Sequence, residues 1–285
     1  MINIITKLRK KLVVCTAVCA ALVLCVGLMT ALTPNPQENE KKPIPILMYH
    51  SLLKDSARWN DYVIPPDDFE SDLKFLTENG YTTVFVSEVV NYVLNGAELP
   101  EKPVVITFDD GYYNNYSYAF ELLKKYNCKA VISPIGSCTQ KFSETVDISP
   151  TYGHCSWEQL KEMTDSGLVE IQNHSWDLHS TSGRKGVSKK KNESAEEYIN
   201  SVKPDIEKAQ EQIFANLGTK PLCFVYPFGA YTSESEQLIR SLCFACSLSC
   251  TEKIDTVERG NPESLYALGR FLRSNKRSAE IILKE

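Results

Sequence analysis

Glycine and proline are scarce, at 13 and 14 of 285 residues. That excludes a collagen-like repeat and a low-complexity, disordered chain. Positive charge is in deficit, with 31 Lys and Arg against 36 Asp and Glu and a formal net charge of −5. The first 32 residues hold four of the basic groups and no acidic one, so the remainder carries 27 basic against 36 acidic side chains. A surface of that sign does not suit a polyanion, and nucleic acid is not an expected partner. With 43% hydrophobic and 24% charged residues, the composition is that of a globular chain and not of a multispanning membrane protein. Histidine is rarer still, four in all, so the places where they fall carry information.

Lys7-Leu8-Arg9-Lys10-Lys11 precedes Leu12–Leu32, a run without a charged residue. As a helix it would span roughly 30 Å, enough to cross a bilayer. A basic start before an apolar run keeps the cationic end in the cytoplasm and exports the rest of the chain. Residues 1–32 therefore predict a signal anchor or signal peptide. Met29-Thr30-Ala31 is a poor cleavage site, which favours the uncleaved anchor and a domain held at the extracellular face of the membrane. Residues 33–43 read as a polar linker, and 44–285 as one domain, expected to be monomeric. Its seven cysteines are an odd number, so one thiol at least is unpaired. Cys243-x-x-Cys246-x3-Cys250 is interleaved with Leu242, Phe244, Ala245 and Leu248, and reads as packed thiols before it reads as a metal site.

Short apolar strands alternate with amphipathic helices along this domain. Strands are predicted at Ile44–Tyr49, Tyr81–Val86, Val104–Phe108, Ala130–Ser133, Leu168–Ile171, Leu222–Tyr226 and Ala245–Ser249. Helical stretches lie between them, among them one at Ser194–Leu217 that Pro204 should interrupt. Such alternation means parallel strands joined by crossover helices, an α/β fold whose site lies at the carboxyl ends of the strands. Three of the four histidines fall at those ends: His50 in Tyr49-His50-Ser51, and His174 and His179 in Asn173-His174-Ser175-Trp176-Asp177-Leu178-His179. His154 has no such setting and is expected at a surface or helix entry.

Asp109-Asp110 closes the apolar strand Val104–Phe108 and precedes Gly111. Adjacent carboxylates repel and call for a cation or a proton between them. His174 and His179, five apart, would point about 140° away from each other on a helix and can converge only from a loop. Two imidazoles and one carboxylate with an open fourth position make a hydrolytic metal centre. Asp177 is an alternative ligand, or an orienting partner for an imidazole.

Thr107-Phe108-Asp109-Asp110-Gly111 resembles the first motif of the polysaccharide deacetylases, carbohydrate esterase family 4, also called the NodB-homology domain. His174-Ser175 with His179 resembles the second motif, and Tyr226-Pro227-Phe228-Gly229 the third. The resemblance covers about 43–273 and implies a distorted (β/α) barrel of about seven parallel strands. It implies that Asp110, His174 and His179 bind a divalent metal, Zn²⁺ first and Co²⁺, Ni²⁺ or Fe²⁺ as alternatives. It implies Asp109 as general base, and Tyr226, Pro227 and Phe228 as the wall of the sugar groove with a backbone N–H for the oxyanion. Three departures mark a subgroup. The second-motif histidines are five apart instead of four, as in a branch resembling the poly-N-acetylglucosamine deacetylases. Phe224 and Val225 stand where an arginine often pairs with the base, and Arg270 is the candidate replacement. No histidine follows His179, and in the same branch a Met-Tyr-His at the first strand supplies the acid, which assigns that role to His50.

The activity this implies is removal of N-acetyl groups from an N-acetylglucosamine-containing polysaccharide. The rivals are an O-acetyl esterase of xylan type on the same site, a glycosidase, and an inactive sugar-binding surface module. Neighbouring carboxylates fit the glycosidase poorly, because its pair flanks the substrate at about 5 Å or more. Two further segments stand out. Ser180–Glu193, rich in lysine, serine and glycine, reads as a solvated flexible loop, and Trp59-Asn60-Asp61-Tyr62 is placed by its position at a groove edge.

Overall fold

Every position of Pro103–Asp110 is buried, as the unbroken apolar run of a central parallel strand requires. The computed structural model describes residues 40–145 and 147–284. The expected anchor at 1–32 and most of the linker lie outside the described residues. No helix among the described residues is long and apolar enough to cross a membrane. Lys41–Ile44, expected to include the end of the linker, is a strand paired antiparallel with Asp255–Glu258.

Seven strands form a ring: β1 (Ile46–Tyr49), β2 (Pro103–Asp110), β3 (Ala130–Pro134), β4 (Val169–Ile171), β5 (Cys223–Val225), β6 (Cys246–Leu248) and β7 (Phe271–Leu272). Parallel ladders join β7 to β1 and run on through β2 and β3 to β4, while β5 pairs with β6. The two arcs meet through single parallel bridges, Asn173 with Phe224 and Leu248 with Leu268. The result is a distorted (β/α) barrel of seven parallel strands.

The strand count agrees with the sequence, but one member differs. Of Tyr81–Val86 only Thr82–Thr83 pairs as a strand, beside the start of β2, because Val86 already opens a helix. The seventh place belongs to Phe271–Leu272, too short to show a pattern. Four helices bear on the site: α1 (Pro66–Glu78), α2 (Val86–Asn95), α3 (Trp157–Asp165) and α4 (Ala195–Leu217).

Alternation along the strands sorts their side chains. Leu47, Tyr49, Ile106, Phe108 and Ile132 pack outward against Phe69 and Leu73 of α1 and Leu160 of α3. Ile46, Val105, Val131, Cys223, Val225, Cys246 and Leu248 form the inner cluster, with Val86, Val89 and Val93 of α2 against it. That parity turns His50, Asp109 and Cys250 into the barrel mouth. Pro204 does not interrupt α4, which runs unbroken through it. Tyr198, Val202, Ile206, Ala209, Ile213 and Leu217 bury one continuous face. Pro204 and Asn200 are exposed, so water can take the carbonyl that loses its N–H partner.

Candidate active site

Asp109 and Asp110 leave the end of β2 in different directions. Asp109 keeps the strand's inward parity and meets Arg270, whose Nη1 and Nη2 donate to Oδ1 and Oδ2 at 2.7 and 2.8 Å. Arg270 is 0% exposed and is itself fixed by Nε donating to the Ser249 carbonyl at 2.9 Å. The arginine missing before the third motif is thus supplied just before β7. Burial pushes the Asp109 carboxyl upward, but the Arg270 guanidinium and His174 outweigh it and hold the group below its ordinary value.

Asp110 turns aside by adopting a left-handed backbone, φ 69°, a strained conformation of the kind stored at functional sites. Gly111 follows at φ 70°, where a Cβ would stand 2.7 Å from Pro134 Cβ, so only glycine fits. His154 Nδ1 lies 3.1 Å from the Asp110 carbonyl oxygen, and its ring packs on Tyr112 at 4.9 Å. His154, expected at a surface, is therefore part of the scaffold under the carboxylate pair.

The exit of β4 brings the imidazoles. Asn173 Oδ1 accepts from Ser175 N at 2.8 Å, bending the chain at Ser175, φ 72°. His174 Nδ1 is 2.7 Å from the Val225 carbonyl oxygen. A carbonyl only accepts, so the proton sits on Nδ1 and Nε2 keeps its lone pair. His174 Nε2 and His179 Nε2 lie 3.6 and 3.2 Å from Asp110 Oδ1, and the three ligand atoms all fall within 4.8 Å of one another. Asp110 Oδ1 is buried with no hydrogen-bond donor among the described residues, an expensive state that a cation at that point would relieve. The donor set and spacing fit a divalent metal such as Zn²⁺.

Asp177 is exposed and accepts from Ser137 Oγ at 2.8 Å; it is not among the three convergent ligand groups. The loop between the histidines is held instead by Asp205 of α4, whose carboxylate accepts from Trp176 N and Asp177 N at 2.8 and 2.9 Å. Nothing in the sequence pairs Asp205 with that loop, since 28 residues separate it from Asp177.

His50 follows β1 into the same mouth. Its carbonyl accepts from Asn115 Nδ2 at 2.8 Å, its ring meets Tyr62 edge-on at 5.0 Å, and burial lowers its proton affinity despite Asp109 and Asp110 nearby. The third motif divides. Phe228, at φ 58° in the turn Pro227–Gly229, packs on the His179 ring at 4.3 Å and lines the cavity. Tyr226 instead points outward by strand parity into the cluster of Val187, Tyr198 and Phe224. It does not wall the groove, and Pro227 is likewise buried, against Gly186.

The cavity above these groups has a volume of about 790 Å³. Thr181 and Lys185 also line it, so the loop read as solvated is part of the site. Val187 in that loop is fully buried, Tyr198 Oη donates to its carbonyl at 3.0 Å, and Arg184 forks onto Glu193 and Ser201. Its charge density disguised the one apolar residue that anchors it.

A family model described as polysaccharide deacetylase matches residues 96–246. Poly-beta-1,6-N-acetyl-D-glucosamine N-deacetylase of Escherichia coli K12 is 26% identical over 255 residues, which cover 81% of this chain and 37% of that protein. The chain thus spans little more than a third of that relative's length. The Staphylococcus epidermidis protein of the same name is 27% identical over 260 residues, 90% of this chain and 83% of the relative. Among solved structures, a de-N-acetylase from Aggregatibacter actinomycetemcomitans superposes with a TM-score of 0.72 at 27% identity, covering 85% of this chain and 99% of that one.

Proposed function

The chain belongs to the polysaccharide deacetylase family, and from that premise we propose that it hydrolyses N-acetyl groups on an N-acetylglucosamine polymer of the β-1,6-linked kind at the cell surface. One observation carries the reading: Asp110 Oδ1 faces two imidazole Nε2 atoms at 3.2 and 3.6 Å, beside a second carboxylate that a buried arginine keeps ionised. The basic residues before Leu12 and the uncharged run to Leu32 support attachment to the outer face of the membrane.

Asp110, His174 and His179 would hold a divalent cation, with Zn²⁺ the best match to two nitrogens and one oxygen. When bound, that ion polarises the acetamide carbonyl and acidifies water. Asp109 takes a proton from the attacking water. The Phe228 N–H, in the turn Pro227–Gly229, donates to the oxyanion. His50 gives a proton to the departing nitrogen, the C–N bond breaks, and acetate and a free glucosamine unit result.

Acetate release from β-1,6-linked N-acetylglucosamine oligomers tests the reading. Wild type should release it, and Asp109→Asn should be slower by about 10²–10⁴-fold with its metal content intact. Equal rates for the two proteins, or release only from O-acetylated glycans, would overturn it.

A further inference from the structure

His154 is not one of the three convergent ligand groups and is not among the residues that line the reacting cavity. Its Nδ1 lies 3.1 Å from the carbonyl oxygen of Asp110, the ligand whose backbone is left-handed at φ 69°. A carbonyl only accepts, so Nδ1 carries a proton whatever the charge on the ring. Resting on the metal-centred deacetylase reading, we propose that His154 is a positioning residue for the cation site. By holding the Asp110 carbonyl it keeps the turn that aims Oδ1 at His174 and His179, and so sets how tightly the site binds its cation.

Left-handed backbone is costly for a residue with a Cβ and persists only where its surroundings fix it. Two donors from different segments fix this one: Ile135 N, at 3.3 Å from the same carbonyl oxygen, and His154. The imidazole is itself clamped, its ring centre 4.9 Å from that of Tyr112 and 5.4 Å from that of Phe142. In ordinary extended backbone Asp110 would alternate to the face opposite Asp109, away from the imidazoles. The hydrogen bond from His154 therefore bears on where the carboxylate points.

The segment that carries His154 is built as a strap across this turn. Cys155 N donates to the Gly111 carbonyl and Tyr113 N to the Gly153 carbonyl, both at 2.8 Å, and Tyr112 and His154 form an antiparallel bridge. Gly153 leaves no room for a side chain, since a Cβ would stand 2.5 Å from the Asp147 carbonyl oxygen. On the other side Cys155 is fully buried, and Ser156 caps α3, its N donating to Gln159 Oε1 at 2.9 Å. Leu160 of that helix packs into the outer core of the barrel. The strap is thus anchored at both ends, and His154 is the side chain through which it holds Asp110.

The test loads each protein with Zn²⁺ and titrates it with a competing chromophoric chelator, which gives cation affinity without turnover. His154→Phe keeps an aromatic ring between Tyr112 and Phe142 but has no N–H. His154→Asn loses the ring and keeps a donor near the place of Nδ1. His154→Phe should bind Zn²⁺ about 10- to 100-fold more weakly, and His154→Asn within about threefold of wild type. A residue that only packs predicts the opposite order. Wild-type affinity in His154→Phe, or equal losses in the two variants, would overturn the inference. If the melting temperature shows that His154→Phe does not fold, His154→Asn decides: near-wild-type affinity supports the role, and a loss of about tenfold or more overturns it. Wild type that binds Zn²⁺ but releases acetate from no glycan would remove the deacetylase reading and leave the affinity comparison standing. Wild type that binds no Zn²⁺ would remove both.

Discussion

At the scale of single residues, the Asp109–Arg270 pair decides most. Both partners are almost fully enclosed, so removing one strands a charge that water cannot reach. Arg270→Leu should therefore lower stability by about 3–5 kcal/mol, read from denaturant unfolding. The double variant Asp109→Asn, Arg270→Leu should recover part of that loss, because no buried ion then lacks a partner. A double variant no more stable than Arg270→Leu would mean that Arg270 acts through packing alone. The site residues differ in how openly the sequence declares them. Asp109, Asp110, His174 and His179 stand at strand exits in recognisable spacing. Tyr226 sits in an equally recognisable motif yet faces the core, because strand parity and not motif membership sets its direction. Asp205 and His154 act through backbone atoms of other segments, and such contacts leave no local pattern to read.

At the scale of elements, the loop 180–193 offers the sharpest test. Arg184 donates to Glu193 through Nη1 at 2.9 Å, and that contact holds the carboxyl down at about 2 from an ordinary 4.5. A lowered acid stabilises the fold above its unfolded value and ceases to do so as pH falls through its folded value. Wild type should thus exceed Glu193→Gln in melting temperature at neutral pH, and the gap should close between pH 4.5 and about 2. A gap independent of pH would deny the pair its role. Strand count, helix alternation and the barrel class could be read from periodicity because they repeat over many residues. Two strand assignments could not. Tyr81–Val86 has the β-branched and aromatic content of a strand but is diverted into α2, whereas Phe271–Leu272 is placed by its neighbours and is too short to signal itself.

For the whole molecule, fold and reactivity should separate cleanly. The barrel rests on apolar clusters that do not include Asp110, His174 or His179, so a strong chelator should abolish acetate release while the far-ultraviolet circular dichroism persists. Unfolding on chelation would show the cation to be structural. The ring also has two seams, since β5 and β6 touch the other five strands through isolated bridges. Amides of Cys223–Val225 should then exchange with deuterium sooner than those of Thr107 and Phe108, which have ladders on both sides. Equal protection would mean the seams are as firm as the ladders. Asp109 and Asp110 ride on the firmly stitched arc, while the turn bearing Phe228 hangs from the other. A ligand held in the cavity between them would thus rest against one arc tied by continuous ladders and one tied to it by single bridges.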